Sequence, residues 1–184
     1  MLNIQGLKYI SDFLSKEEEA QLIMEIDQCL WLTDLKRRVQ HYGYKYDYKK
    51  RKIDNSMKLG ALPSWSDFVL KRFNETGVSN IDFDQLIINE YMPGQGIAPH
   101  IDCEPCFDNV IISLSLGCST IMNFNKKDEF KIKISQILEA RSIILMENDA
   151  RYDWLHGITG RKTDPLTKDK FTRRISLTFR KVRI

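Results

Sequence analysis

With 184 residues, 42% of them hydrophobic and 29% charged, the chain is too apolar for a disordered polymer and long enough for one well-cored domain, 1–184, but not for two. No apolar run approaches the ~20 residues that span a bilayer, and Met1 to Ile10 lacks the basic start and long apolar core of a signal peptide, so a cytoplasmic protein with no membrane contact is expected, its four cysteines free thiols. The formal net charge is +3, yet residues 36–52 hold eight Lys or Arg against one Asp, +7 in all, leaving −4 elsewhere; the run is either a seat for a polyanion or an ordinary solvated face.

Ser11 to Leu32 opens with Ser15-Lys-Glu-Glu18, a capping-box pattern, and carries Leu22, Ile23, Ile26 and Leu30 at helical spacing, which predicts a helix packed on a core. Across 38–48 the period changes. Tyr42, Tyr44, Tyr46 and Tyr48 alternate with Gly43, Lys45 and Asp47, the pattern of a strand or hairpin arm whose rings either bury against the helix or form a wall for a nucleobase. Pro63 to Phe73 repeats the helical pattern through Trp65, Phe68, Val69 and Phe73, and Gly77 is placed to stop it. From Gln85 onward come short extended runs at 85–91, 109–116, 120–124, 130–134, 142–146 and 174–182. Such runs predict two packed antiparallel sheets, and with the two N-terminal helices an α+β fold. Thr159 to Thr172 reads as a mobile loop.

The chemistry concentrates at Asn89 to Asp102. His100 and Asp102 are two apart, and in an extended segment such residues face the same way and can grip one ion. His156, one of three histidines, follows the aromatic run Tyr152-Asp-Trp154. Two imidazoles and one carboxylate with no fourth ligand evident match a facial triad on Fe(II), or a catalytic zinc with an open position. Asn89 and Tyr91 share one face of their run. In 174–182, Ile175, Leu177 and Phe179 alternate with Arg174, Ser176, Thr178 and Arg180, so two guanidinium forks share a face with small hydroxyl groups. Cys103 and Cys106 form a single Cys-x-x-Cys, weak evidence for zinc without a second pair, and read as incidental thiols on a loop.

In their order, Asn89 and Tyr91, His100 and Asp102, Ser113-Leu-Ser-Leu-Gly117, Arg151 to Ile158, and Arg174 with Arg180 make this chain resemble the AlkB family of Fe(II)- and 2-oxoglutarate-dependent dioxygenases over nearly its whole length. Arg37 to Tyr44, Pro93 to Asp102 and Ser176 to Arg183 are most similar to the members that modify wobble uridine in tRNA. The resemblance implies a double-stranded β-helix, or jelly roll, over 85–184 and helices with a nucleotide-recognition lid over 1–84. It implies His100, Asp102 and His156 as catalytic iron ligands, and Arg174, assisted by Tyr91 and Asn89, at the distal carboxylate of 2-oxoglutarate. Arg180 falls near the carboxylate beside iron. A substrate carbon would then be hydroxylated by O2 as 2-oxoglutarate becomes succinate.

The substrate implied is a base in single-stranded or flipped DNA, RNA or tRNA, met by Tyr42, Tyr44, Arg37, Arg38, Arg151 and Glu104. Oxidative dealkylation of N-alkylated bases is expected, because Glu104 resembles the acidic residue of dealkylating members and neither an RNA-recognition nor a methyltransferase domain is expected here. Hydroxylation of a modified wobble uridine stays open, as do a metal-dependent hydrolase, a protein-directed oxygenase and a catalytically silent nucleic-acid binder. A monomer is expected.

Overall fold

Period-two alternation dominates the second half of the chain, and strands follow from it. The computed structural model describes residues 3–33 and 35–184. The elements run β1 (Leu7–Ile10), α1 (Lys16–Gln28), β2 (Val39–Tyr42), α2 (Asp67–Glu75), β3 (Gln85–Tyr91), β4 (Ile97–His100), β5 (Phe107–Gly117), β6 (Thr120–Lys126), β7 (Lys133–Leu138), β8 (Ile143–Met146), α3 (Asn148–Tyr152), β9 (Trp154–Ile158) and β10 (Arg174–Val182). They form a six-stranded sheet ordered β1-β8-β5-β10-β3-β2 and a four-stranded sheet ordered β4-β9-β6-β7, with every ladder between named strands antiparallel. This is the jelly-roll arrangement the resemblance implied. No described helix is long and apolar enough to cross a membrane.

The inner strands of the large sheet are buried on both faces, and their two sets of side chains differ in kind. Leu86, Ile88, Ile112, Leu114, Ile175, Leu177 and Phe179 form one core with Leu22 and Ile26 of α1 and Val69 and Phe73 of α2. The alternate positions of β10 face the small sheet. There the register sets Arg174 beside Tyr91, Ser176 between Asn89 and Ser115, Thr178 between Ile87 and Ser113, and Arg180 between Gln85 and Ile111. A second apolar cluster, including Ile111, Ile144 and Met146 with Met122, Phe124 and Ile158, fills the rest of the space between the sheets. The sandwich is therefore polar at one end of its interior and apolar at the other.

Helix α1 starts at the capping box expected, with Glu18 N donating to Ser15 Oγ at 3.1 Å and Ser15 N to Glu18 Oε2 at 2.8 Å. It ends at Gln28, short of Leu32, because Cys29 turns extended and the Gln40 side chain caps the Ile26 carbonyl at 2.9 Å. Leu30, expected on the buried face, is 82% exposed as a result. The predicted 130–134 strand lies later, at Lys133–Leu138, since 129–132 form a turn closed by Ile132 N donating to Glu129 O at 2.7 Å.

The tyrosine arm is split. Only Val39–Tyr42 is strand; Gly43 has φ +75°, and a Cβ there would sit 1.8 Å from the Asp84 carbonyl oxygen. The chain swings away at that point and folds back, with Tyr44 bridging to Lys58 and Asp47 to Lys52. The 159–172 segment is well tied. Buried Asp164 accepts from Ser119 N, Leu166 N and Thr167 N, and Phe171 is buried. Cys103 and Cys106 are disulfide-bonded, contrary to the free thiols expected, because the tight turn after Asp102 brings them together; Cys29 and Cys118 are free.

Candidate active site

The short edge strand β4 and β9 pair so that His100 and His156 are direct cross-strand neighbours, with ring centroids 4.4 Å apart. Asp102 follows at the mouth, its Oδ1 3.5 Å from His100 Nε2. One ligand atom from each of the three lies within 4.8 Å of the others, the spacing of a single-ion site. His100 Nδ1 lies 2.9 Å from the Ala98 carbonyl oxygen, which as acceptor fixes the tautomer and frees Nε2. Burial, reinforced by neighbouring His100, pushes His156 down to about 3, so its imidazole is neutral and able to ligate. Burial opposes ionisation of Asp102, but Arg180, His100 and His156 together outweigh it and hold the carboxyl well below its usual range.

Arg180 Nε donates to Asp102 Oδ2 at 3.0 Å and Nη1 to Gln85 Oε1 at 3.2 Å, so this guanidinium braces the carboxylate. Arg174 is different. It is 1% exposed, its Nη2 donates to Ser115 Oγ at 2.8 Å, its Cζ lies 5.3 Å from the Tyr91 ring centroid, and its Nε and Nη1 have no partner among the described residues. Burial lowers its pKa to about 10. A buried cation with two unmet donors is costly unless an anion completes it. Asn89 Oδ1 accepts from Arg37 Nε at 2.7 Å, and Ser113 and Ser176 hydroxyls meet at 2.9 Å. The cleft between the sheets is lined by Asn89, Tyr91, Ser176 and Arg180 on one side and His100 and His156 on the other. These groups suit a small dicarboxylate beside a divalent ion, on the strength of the unmet Arg174 donors and the oxygen and nitrogen donor set.

A cavity of about 280 Å³ opens over the same histidine and aspartate, with Arg37, Tyr46, Tyr48, Arg51, His100 and Asp102 among its walls. The expected substrate residues divide. Arg37 lines this cavity, but Arg38 binds Glu90 through Nε at 2.5 Å and Nη2 at 2.7 Å and does not border it. Tyr42 packs edge-on to Trp65 and donates to Gln40, Tyr44 joins the cluster of Ile53, Phe107 and Val182, and neither borders the cavity. Glu104 sits outside it, exposed, 3.4 Å from Lys127. Arg151 is buried and donates to the carbonyls of Asp102 at 3.0 Å and Cys103 at 3.2 Å, tying down the loop that carries the aspartate.

Tyr46 and Tyr48 are the rings that face the cavity, and the sequence showed them only as members of the stripe. Tyr48 stacks edge-on to Tyr46 with centroids 5.0 Å apart, and its hydroxyl is buried without a partner among the described residues. Ser113 and Ser115 stood in the sequence as part of the Ser113 to Gly117 motif; their bonds to Ser176 and Arg174 need the register with β10.

Comparison with known proteins agrees with this geometry. Residues 6–180 match the 2OG-Fe(II) oxygenase superfamily. An Arabidopsis thaliana protein named alkylated DNA repair protein ALKBH8 homolog is 39% identical over 207 aligned positions, covering 99% of this chain and 60% of its own length. A Xenopus tropicalis protein named tRNA (carboxymethyluridine(34)-5-O)-methyltransferase alkbh8 is 36% identical, covering 97% of this chain and 32% of its own. This chain thus spans under two thirds of either relative. The solved structure of OsALKBH1 superposes with a TM-score of 0.73 at 14% identity, over 98% of both chains, a likeness of fold. On the family match and the ALKBH8 homologues, the chain belongs to the 2OG-Fe(II) oxygenase superfamily.

Proposed function

We propose that this chain is an Fe(II)- and 2-oxoglutarate-dependent dioxygenase that hydroxylates a carbon on a nucleic-acid base, with oxidative dealkylation of N-alkylated bases in DNA or RNA as its reaction. The observation that carries it is Arg174, a buried guanidinium with two unmet nitrogens on the same inner face as the residues around the His-Asp-His cluster. A metal-dependent hydrolase has no use for such a group.

His100, Asp102 and His156 would hold Fe(II), which with 2-oxoglutarate and O2 supplies the oxidising chemistry when bound. Arg174 would receive the distal carboxylate, with Tyr91 beside it. Arg180 fixes Asp102 and leaves its other face toward the cleft. Arg151 holds the Asp102 backbone, and Arg37 holds Asn89 while facing the cavity. The cavity over the cluster is walled by Tyr46 and Tyr48, rings on which a flipped or single-stranded base can stack. The basic 36–52 segment supplies the phosphate contacts.

The Arabidopsis relative's name, with its alkylated DNA, supports dealkylation. A second reading, hydroxylation of a modified wobble uridine that keeps its hydroxyl, takes its support from the Xenopus relative, whose name specifies a tRNA uridine. Glu104, paired at the rim with Lys127, supports neither. A cytoplasmic monomer is the simplest setting for the enzyme. The test is anaerobic Fe(II) reconstitution followed by 2-oxoglutarate turnover against alkylated oligonucleotides and tRNA. Formaldehyde release marks dealkylation and a product heavier by one oxygen marks stable hydroxylation; no substrate-stimulated succinate from either class would sink the nucleic-acid reading.

A further inference from the structure

A second groove of about 440 Å³ lies on the far side of β4 from the cavity, and Ile97 and Ala98 line both. Its floor is the outer face of the small sheet. Gly157 brings β4 down against β9, since a Cβ there would lie 2.8 Å from the Pro99 nitrogen. Asn123 and Asn125 of β6 project beside it, and Lys133 of β7 and Phe130 close the end.

Phe130 is 56% exposed, but its turn is not loose. Asn125 Nδ2 donates to the Phe130 carbonyl at 3.0 Å, and the backbone bonds Ile132 N to Glu129 O and Lys126 N to Ile132 O close the turn at 2.7 and 3.0 Å. The ring is thus presented to solvent on a pre-ordered support. Nearby Lys126 and Lys127 are spent on Glu129 and Glu104, whereas Lys133 makes no ion pair among the described residues. Asn123 and Asn125 are committed to the fold, to Ser135 and to the Phe130 carbonyl, but an exposed aromatic beside an ammonium without an ion pair is the pairing that holds a single-stranded nucleotide without reading its sequence.

We infer that this groove is a subsite for the nucleotide next to the target in a single strand: Phe130 stacks the neighbouring base, Lys133 meets a phosphate, and the strand crosses over β4 at Ala98 and Pro99. The inference rests on the nucleic-acid reading above and adds to it a path for the strand. A strand is only about 5 Å wide in its sheet, so one turn of the sugar-phosphate backbone can step from cavity to groove.

The probes are pentanucleotides with N1-methyladenine or a 5-substituted uridine at the centre, and the matching mononucleotides, with binding to the Mn(II) protein read by fluorescence anisotropy or calorimetry. Phe130→Ala should weaken the pentanucleotide about 10-fold and leave the mononucleotide unchanged. Lys133→Ala should lower the salt dependence by roughly one contact, about 0.7 in log-log slope for a single strand. With 2-aminopurine beside the target base, binding should quench its fluorescence in the unaltered protein and not in Phe130→Ala. Succinate formation without substrate should match in all proteins, showing that each is folded. If the unaltered protein binds neither pentanucleotide, the nucleic-acid reading and the subsite fall together. If it binds and both variants keep full affinity, slope and quenching, the subsite alone is overturned.

Discussion

Arg180 Nε and Asp102 Oδ2 are 3.0 Å apart, so the carboxylate at the mouth of the cluster is already charge-paired from the sheet opposite. One oxygen is held by β10 and the other faces His100. Arg180→Ala should therefore weaken divalent-ion binding by about 10- to 100-fold, the usual effect of losing a partner that orients a ligand. Calorimetry with Mn(II) at pH 7 checks this; equal affinity in the two proteins would show that Asp102 orients itself.

Arg174 stands at the other end of the same strand with two unmet nitrogens. A dicarboxylate that binds there should raise the melting temperature of the protein, since a ligand held only by the folded state stabilises it. Arg174→Lys should lose most of that rise, because an ammonium lacks the planar fork. Thermal unfolding with and without 2-oxoglutarate, metal absent and present, reads it out. A full shift in the lysine variant would place the dicarboxylate elsewhere.

The unpaired Tyr48 hydroxyl separates stability from function. Tyr48→Phe removes a buried polar group that bonds to nothing, so the urea midpoint should hold or rise. If a substrate base completes that hydroxyl, KM for the oligonucleotide should rise by several-fold while substrate-free succinate formation is unchanged. An unchanged KM would assign Tyr48 to the wall by its ring alone.

Lys49 and Lys50 lie on an exposed turn whose amides are fixed by Asp47 Oδ1, both at 2.9 Å. Their side chains are free of the fold. Neutralising both should leave the melting temperature alone and reduce the salt slope of oligonucleotide binding by up to roughly 0.7 to 0.9 per phosphate contact. Should the slope stay fixed, the basic run is a solvated face.

A pH effect follows from the helix pair. The Arg72 guanidinium bonds the Glu18 carboxylate, and with the Ser15 amide it lowers the Glu18 pKa from 4.5 to about 2. A carboxylate depressed on folding stabilises above its unfolded value and loses that contribution as pH falls from 4.5 toward 2. Glu18→Gln keeps the capping geometry but drops the charge. It should cost about 1 kcal/mol at pH 7, discounted for the solvent around the pair, and the gap from the unaltered protein should close by pH 2. Urea unfolding at pH 7, 4 and 2 is the measurement; a gap that persists undiminished at pH 2 would mean that the charge is not its source.

The strands 85–91 and 174–182 were legible to the residue, because each alternates two kinds of side chain over two buried faces. The helix start at Ser15 was equally plain, since the cap is a local bond. β4 and β9 were not, though they carry the histidines: Pro99 and Gly157 interrupt both patterns, and only their mutual pairing makes them strands. The tyrosine stripe misled for a local reason, as the left-handed turn at Gly43 parts Tyr42 from Tyr46 and Tyr48. The bond between Cys103 and Cys106 depends on the turn that follows Asp102, which no spacing rule specifies.

Because β10 gives its odd positions Ile175, Leu177 and Phe179 to the helices and its even positions to the cleft, its length matters in a different way from its composition. A substitution at one position injures one neighbour and can be graded. Deleting a single residue between Arg174 and Arg180 would exchange the two sets beyond the gap, driving a guanidinium toward Phe73 and an apolar side chain toward Asp102. Conservative replacements along this strand should give a spectrum of partial proteins, whereas one-codon deletions and insertions should give none.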